Sequence, residues 1–133
     1  MTLKLYEVYG YEPYNDLMSQ LLKYNERILT FFCGTLDLSG KSWCNDCTKA
    51  LPVIESYTKN VASSNNTSTC HYVFVNIDKE EWKNQNSKFR TEKNLKLSRI
   101  PTLIWWENAS EKCRLTEEQC LRTELIFSYF QFE

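Results

Sequence analysis

Ser42-Trp43-Cys44-Asn45-Asp46-Cys47 sets two cysteines three positions apart, with a tryptophan in front and Pro52 a little beyond. An apolar run, Ile28-Leu29-Thr30-Phe31-Phe32-Cys33, lies upstream. It is β-rich and apolar on both faces, the pattern of a central strand in a parallel sheet. After Cys44, the residues Ala50, Ile54, Tyr57 and Val61 recur at the spacing of one apolar helix face. Pro52 falls inside that helix and is expected to kink it, because it removes a backbone donor. Residues 34–42 form a polar loop between strand and helix, with glycine near each end.

The flanks complete the pattern. Residues 3–8 alternate apolar and polar, which predicts a short peripheral strand. Glu12-Pro13 ends it, and Asn15 is expected to cap a helix to about Tyr24, with Leu17, Leu21 and Tyr24 on one face. Residues 63–68 are a Ser/Asn/Thr loop. Residues 71–77 read as a second buried strand, closing a βαβ unit. Residues 79–96 are polar with sparse anchors (Trp82, Phe89, Leu95), which predicts one broken helix or two short ones. Ile100-Pro101 enters a third buried strand at 102–106, and a turn at 108–111 leads to a short strand near 112–115. Thr116-Glu117-Glu118-Gln119 is a capping box for a last helix, with Leu121, Leu125, Tyr129 and Phe132 facing the core. The sum is an α/β fold, a central mixed β-sheet flanked by helices on both faces, in a single domain over residues 1–133.

Composition narrows the function. The 133 residues suit one core, and 42% hydrophobic with 25% charged residues is ordinary for a globular protein. Sixteen basic against seventeen acidic residues call for neither nucleic acid nor an anionic membrane as partner. The longest apolar runs fall far short of the roughly 20 residues that span a bilayer. The first 14 residues lack a secretory pattern, so the six cysteines are expected as thiols in the cytosol. The sequons at Asn65, Asn66 and Asn108 are then chance.

A Cys-x-x-Cys at the end of a central strand is a redox signature in this setting. Residues three apart on a helix have Cβ atoms about 5–6 Å apart, and a disulfide needs roughly 3.5–4.5 Å. Tightening one turn closes the gap, so the pair can cycle without unfolding. Cys44, exposed at the helix start, is the expected nucleophile, and Cys47, one turn in, the resolving thiol. Lowering the Cys44 pKa from about 8.5 to about 7 takes roughly 2 kcal/mol, more than the 0.3–1 kcal/mol a helix dipole supplies at a surface site. Hydrogen bonds must supply the remainder. Asp46 favours the helix start but disfavours a neighbouring thiolate. Pro101, where a buried strand begins, is read either as a cis bond against the dithiol or as a plain trans proline at a strand start.

At these residues the sequence resembles the thioredoxin superfamily, and within it the small cytosolic thioredoxin-related proteins of the thioredoxin domain-containing protein 17 type. The likeness rests on Gly40-Lys41-Ser42-Trp43-Cys44-Asn45-Asp46-Cys47, Ala50-x-Pro52, Trp82-Lys83, Phe89-Arg90, Asn94-Leu95-Lys96, Ile100-Pro101-Thr102-Leu103 and Cys120-Leu121, and runs over residues 6–130. It implies a thioredoxin fold and a protein-disulfide reductase with no bound cofactor, recycled by thioredoxin reductase with NADPH. The implied partners are disulfide-containing proteins, small disulfides such as cystine, S-nitrosylated thiols, persulfides and dynein light chain, with a link to inflammatory signalling. A monomer is expected. Trp43, Asn45, Asp46, Ile100 and Pro101 are the expected tuning or substrate-contact residues beside Cys44 and Cys47. Asn45 replaces the family's proline and should loosen the first turn. The strand before the dithiol lacks the buried acid of ordinary thioredoxins, which leaves Asp46 as candidate proton acceptor for Cys47.

Two other function classes remain open. One is a thioredoxin-fold binding module for a signalling or dynein light chain partner, switched by its redox state. The other is a small zinc protein, which would need two further ligands beside the dithiol; only Cys70 and His71 offer themselves, and they are adjacent. Cys33 reads as a buried strand residue, Cys70 and Cys113 as free thiols near strand ends, Cys120 as packing on the last helix, and His71 as a surface or strand-end residue.

Overall fold

A computed structural model describes residues 1–130. Five strands form one mixed sheet in the order β1-β3-β2-β4-β5: β1 Thr2–Tyr9, β2 Arg27–Gly34, β3 Thr69–Ile77, β4 Thr102–Glu107 and β5 Ser110–Thr116. β3 pairs parallel with both β1 and β2, whereas β4 runs antiparallel to β2 and to β5. β2 is central and buried over all but its first residue, as its apolar run requires. β1 is an edge strand, in line with its alternating pattern.

Strand side chains alternate between faces, so β2 shows what each face carries. Phe32 packs against Tyr14 of helix α1 (Tyr11–Leu21) and Phe89 of the short helix α4 (Lys88–Thr91). Thr30, on the same face, accepts from Trp106 Nε1 at 3.0 Å. Leu29, Phe31 and Cys33 point the other way, toward helix α2 (Asn45–Ala62) and the C-terminal helix α5 (Thr123–Tyr129). There Trp105, the register partner of Leu29, stacks on Phe130, and the Tyr57 hydroxyl of α2 donates to Phe130 O. Helices therefore cover both faces. The polar stretch after β3 holds two short helices, α3 (Lys79–Lys83) and α4. Phe89 and Leu95 are buried as anchors, while Trp82 is half-buried under the Arg90 guanidinium.

Four local expectations need correction. Helix α1 starts at Tyr11, not after Asn15, because Gly10 at φ +87° turns the chain and Pro13 sits in the first turn, where no intrahelical donor is needed. Its core face is Tyr14, Met18 and Leu21; Leu17 is half-buried and Tyr24 exposed, since the helix ends before it. The C-terminal helix is divided into a 3₁₀ segment, Glu117–Leu121, and α5, with extended Arg122 between them. That break shifts the helical phase, so Cys120, Ile126 and Phe130 fill the core, Leu121 and Leu125 only flank it, and Tyr129 is exposed. Phe132 lies outside the described residues. The expected cap does form: Gln119 Oε1 accepts from Thr116 N at 3.0 Å. Finally, His71 is buried rather than superficial, between the Tyr6 hydroxyl (2.9 Å) and Glu26 (2.8 Å).

Candidate functional site

The site is built where β2 and β3 end. Gly34 closes β2, and residues 35–43 leave and return as a small hairpin. Leu36 bridges Ser42, and Asp37 Oδ1 accepts from Ser39 N, Ser39 Oγ and Lys41 N at 2.8, 2.6 and 3.0 Å. These bonds hold the Asp37 carboxyl below its usual value, with the Ser39 hydroxyl as the largest cause. Gly40 takes the positive φ the turn needs. Ile77 O, at the end of β3, receives both Thr35 N (3.1 Å) and Trp43 Nε1 (2.9 Å), so the start and end of the loop share one acceptor.

Gly34 is required by space. A Cβ there would lie 2.6 Å from Ser42 Oγ and 2.8 Å from the Trp43 ring. Trp43 thus lies on the bare backbone of Gly34, half-buried and fixed by its indole N–H. Ser42 Oγ donates to Gly34 O at 2.7 Å and accepts from Cys44 N at 3.0 Å, and Ser42 N donates to Thr48 Oγ1 at 3.0 Å. The turn into α2 is therefore pinned to the strand end by neighbouring side chains.

Cys44 is the N-cap of α2, extended at φ −95° and ψ 114°, and its Sγ accepts the Cys47 backbone N–H at 3.4 Å. It is half-buried, and its thiol points to Ile100 O at 3.9 Å. Cys47 is fully buried one turn in. Its Sγ accepts from Gly34 N at 3.4 Å. All six cysteines are free, so this is the reduced dithiol. The Ile100-Pro101 peptide is cis, which selects the first of the two readings of Pro101. Pro101 O turns away to receive Glu117 N at 2.8 Å, leaving Ile100 O to face the dithiol.

Both thiols are pushed up from the ordinary cysteine value. For Cys44 the main cause is the hydrogen bond with the Cys47 thiol, followed by burial; the Cys47 amide pulls it down and the Asp46 charge pushes it up. For Cys47 the main cause is the Cys33 thiol. Thiols that share a proton titrate as a set, so the two shifts belong to the pair rather than to either sulfur alone. Each sulfur accepts one backbone N–H at 3.4 Å, and Cys44 is the one nearer water.

The structure brings Trp43, Cys44, Cys47 and Ile100-Pro101 together. Asn45 and Asp46 are exposed on the first turn of α2. Asp46 acts on Cys44, whereas the groups acting on Cys47 are Cys33, Cys44 and Gly34. The sequence reading did not assign Cys33, Gly34, Ser42 or Thr48 to the site. The period-2 count along β2 does place Cys33 with Leu29 and Phe31 on the α2 face, a usable signal. Among the described residues no three His, Cys, Asp or Glu side chains gather as a metal site.

A sequence model described as "Thioredoxin domain-containing protein 17-like, thioredoxin domain" matches residues 7–132. The chain belongs to this family. It is 32% identical over 124 residues to thioredoxin domain-containing protein 17 of Homo sapiens, covering 92% of this chain and 91% of the relative. It is 30% identical over 98 residues to thioredoxin-like protein Clot of Arabidopsis thaliana, covering 74% and 70%. Among solved structures it is similar to thioredoxin O2 of Arabidopsis thaliana (TM-score 0.61, 15% identity, 96% and 94% covered). Thioredoxin NaTrxh of Nicotiana alata matches with a TM-score of 0.61 at 14% identity, covering 97% and 95%. The fold is the thioredoxin fold.

Proposed function

We propose that this chain is a cytosolic protein-disulfide reductase with Cys44 as nucleophile and Cys47 as resolving thiol. Family membership supports a thioredoxin-type redox role. The observation that carries the finer reading is the asymmetry of the dithiol: a half-exposed sulfur on the N-cap, backed by a fully buried sulfur one turn in.

The Cys44 thiolate attacks one sulfur of a substrate disulfide. A Cys44–substrate bond forms, the substrate S–S bond breaks, and the departing thiolate takes a proton. Cys47 then loses its proton and attacks Cys44 Sγ, releasing the second substrate thiol and leaving a Cys44–Cys47 disulfide. Two electrons have passed to the substrate. Thioredoxin reductase, drawing on NADPH, is the proposed source of their replacement. Ile100 O faces the attacking sulfur, and with Trp43, the residue before Cys44, it forms the proposed contact surface for protein disulfides or small ones such as cystine. The chain itself needs no bound cofactor for this cycle.

Trapping tests the reading. Cys47→Ser in a cell extract is expected to retain mixed disulfides through Cys44 that release on adding dithiothreitol. Recovery of no thiol-releasable adduct would overturn it and favour a binding module.

A further inference from the structure

The proposed cycle leaves Cys33 unused, although it is the third sulfur of the site. It lies in β2 next to the terminal Gly34, on the face that carries α2, and is fully buried. Its thiol donates to Gly34 O at 3.3 Å, while Gly34 N donates to Cys47 Sγ at 3.4 Å, so one residue ties both sulfurs. The Cys33 thiol is also the main cause that pushes the Cys47 thiol up, and Cys47 is the main cause for Cys44, whose Sγ accepts the Cys47 N–H at 3.4 Å. Cys47 thus has one sulfur neighbour toward solvent and one toward the core. Cys70 Sγ and Cys120 Sγ likewise contact backbone carbonyls, His71 O for the first and Leu115 O and Pro101 O for the second; what sets Cys33 apart is that the residue receiving its thiol also donates to Cys47 Sγ.

We propose that Cys33 is a third redox thiol, which exchanges with Cys44 for Cys47, so that the oxidised site holds either a Cys44–Cys47 or a buried Cys33–Cys47 disulfide. This rests on the reductase reading above. In the exchange Cys33 gives up its proton and attacks Cys47 Sγ. The Cys33–Cys47 bond forms as the Cys44–Cys47 bond breaks, and Cys44 leaves with the electron pair and takes the proton. No net oxidation occurs and no further oxidant is needed. In the reduced state Gly34 O holds the Cys33 proton, so Cys33 does not compete with Cys44 for incoming disulfides. After oxidation the exchange frees Cys44 and moves the disulfide to two sulfurs that are both 0% exposed. A reductase that attacks from solvent must wait for the reverse exchange. The site then carries a latch that slows its own recycling.

The test oxidises the whole chain with excess hydroxyethyl disulfide, quenches in acid, alkylates free thiols with N-ethylmaleimide and maps the bridges by mass spectrometry. Two populations are expected in the natural chain, one bridged Cys44–Cys47 and one bridged Cys33–Cys47 with Cys44 alkylated. Cys33→Ser is expected to show only the first, and its reduction by dithiothreitol to change from two phases to the fast one alone. A single Cys44–Cys47 bridge in the natural chain, with single-phase reduction, would overturn the proposal and leave the reductase reading intact. Absence of any intramolecular bridge to Cys44 or Cys47 would overturn both. The natural chain alone decides the matter if the variant fails to fold.

Discussion

Cys33 and Cys70 are both strand cysteines with 0% exposure, yet they sit at opposite ends of the sheet. Cys33 pairs in register with Asn76 and Cys70 with Arg27, six positions apart along β3, or about 20 Å at strand rise. Around Cys33 the chain ends its strands in a helix N-cap, a pinned hairpin and two further sulfurs. Around Cys70 it closes the sheet instead. The N-terminal amine donates to Ser64 O at 2.6 Å, Thr2 N to Ser68 O at 3.1 Å, and His71 is held between Tyr6 and Glu26. Burial alone therefore does not decide what a thiol does; its neighbours do. Burial pushes the Cys70 thiol up to about 12, and its Sγ points to His71 O at 4.0 Å.

The largest effect expected from breaking one end is loss of the nucleophile: Cys44→Ser should bring disulfide reduction to background, measured as thiol release. Next comes Gly34→Ala. The added Cβ meets Ser42 and Trp43, so either the strand end or the loop must shift. A cost of about 1–3 kcal/mol in stability is expected from such overpacking, read by denaturant unfolding. Because Gly34 N also feeds Cys47 Sγ, the resolving step should slow as well, visible as accumulated mixed disulfide. Paired substitutions then sharpen the contrast. Cys33→Ala and Cys70→Ala should each cost roughly 1 kcal/mol in stability, as small buried truncations do. Only the first should alter the kinetics of dithiol oxidation and reduction. With iodoacetamide at pH 8, Cys44 should label first. Cys70 and Cys120, both pushed up to about 12 by burial, hold roughly one part in ten thousand as thiolate and should stay unlabelled until unfolding.

The smallest effect is on pH. The folded Asp37 carboxyl titrates below its ordinary value, so its bonds to Ser39 and Lys41 stabilise the loop fully above the unfolded carboxylate pKa, about 3.9. That contribution is lost as pH falls through the lower folded value. Amide exchange of Ser39 and Lys41 should therefore accelerate only in acid below about pH 4, and Asp37→Asn should abolish that step.

Periodicity carried much of this structure. The β-rich, mostly apolar run at 28–33 reads as a covered central strand, and the face Ala50, Ile54, Tyr57, Val61 sets the phase of α2 against it. What failed were signals that depend on one residue's backbone. Gly10 moved the start of α1, and extended Arg122 divided the last helix and rotated its core face to Ile126 and Phe130. The dithiol was legible because its spacing is local. The link of Cys33 and Cys47 through Gly34 was not, because it depends on how the loop at 35–43 folds back. That depends on Asp37, Gly40 and the shared acceptor Ile77 O. His71 was misplaced for a similar reason, since its partners Tyr6 and Glu26 are both distant in sequence.

The most direct test of the central claim couples the chain to thioredoxin reductase and a disulfide substrate such as cystine and follows NADPH consumption. The natural chain should sustain turnover in proportion to its concentration, and Cys44→Ser should show none above reductase alone. Undiminished turnover in Cys44→Ser, or none in the natural chain, would contradict the account.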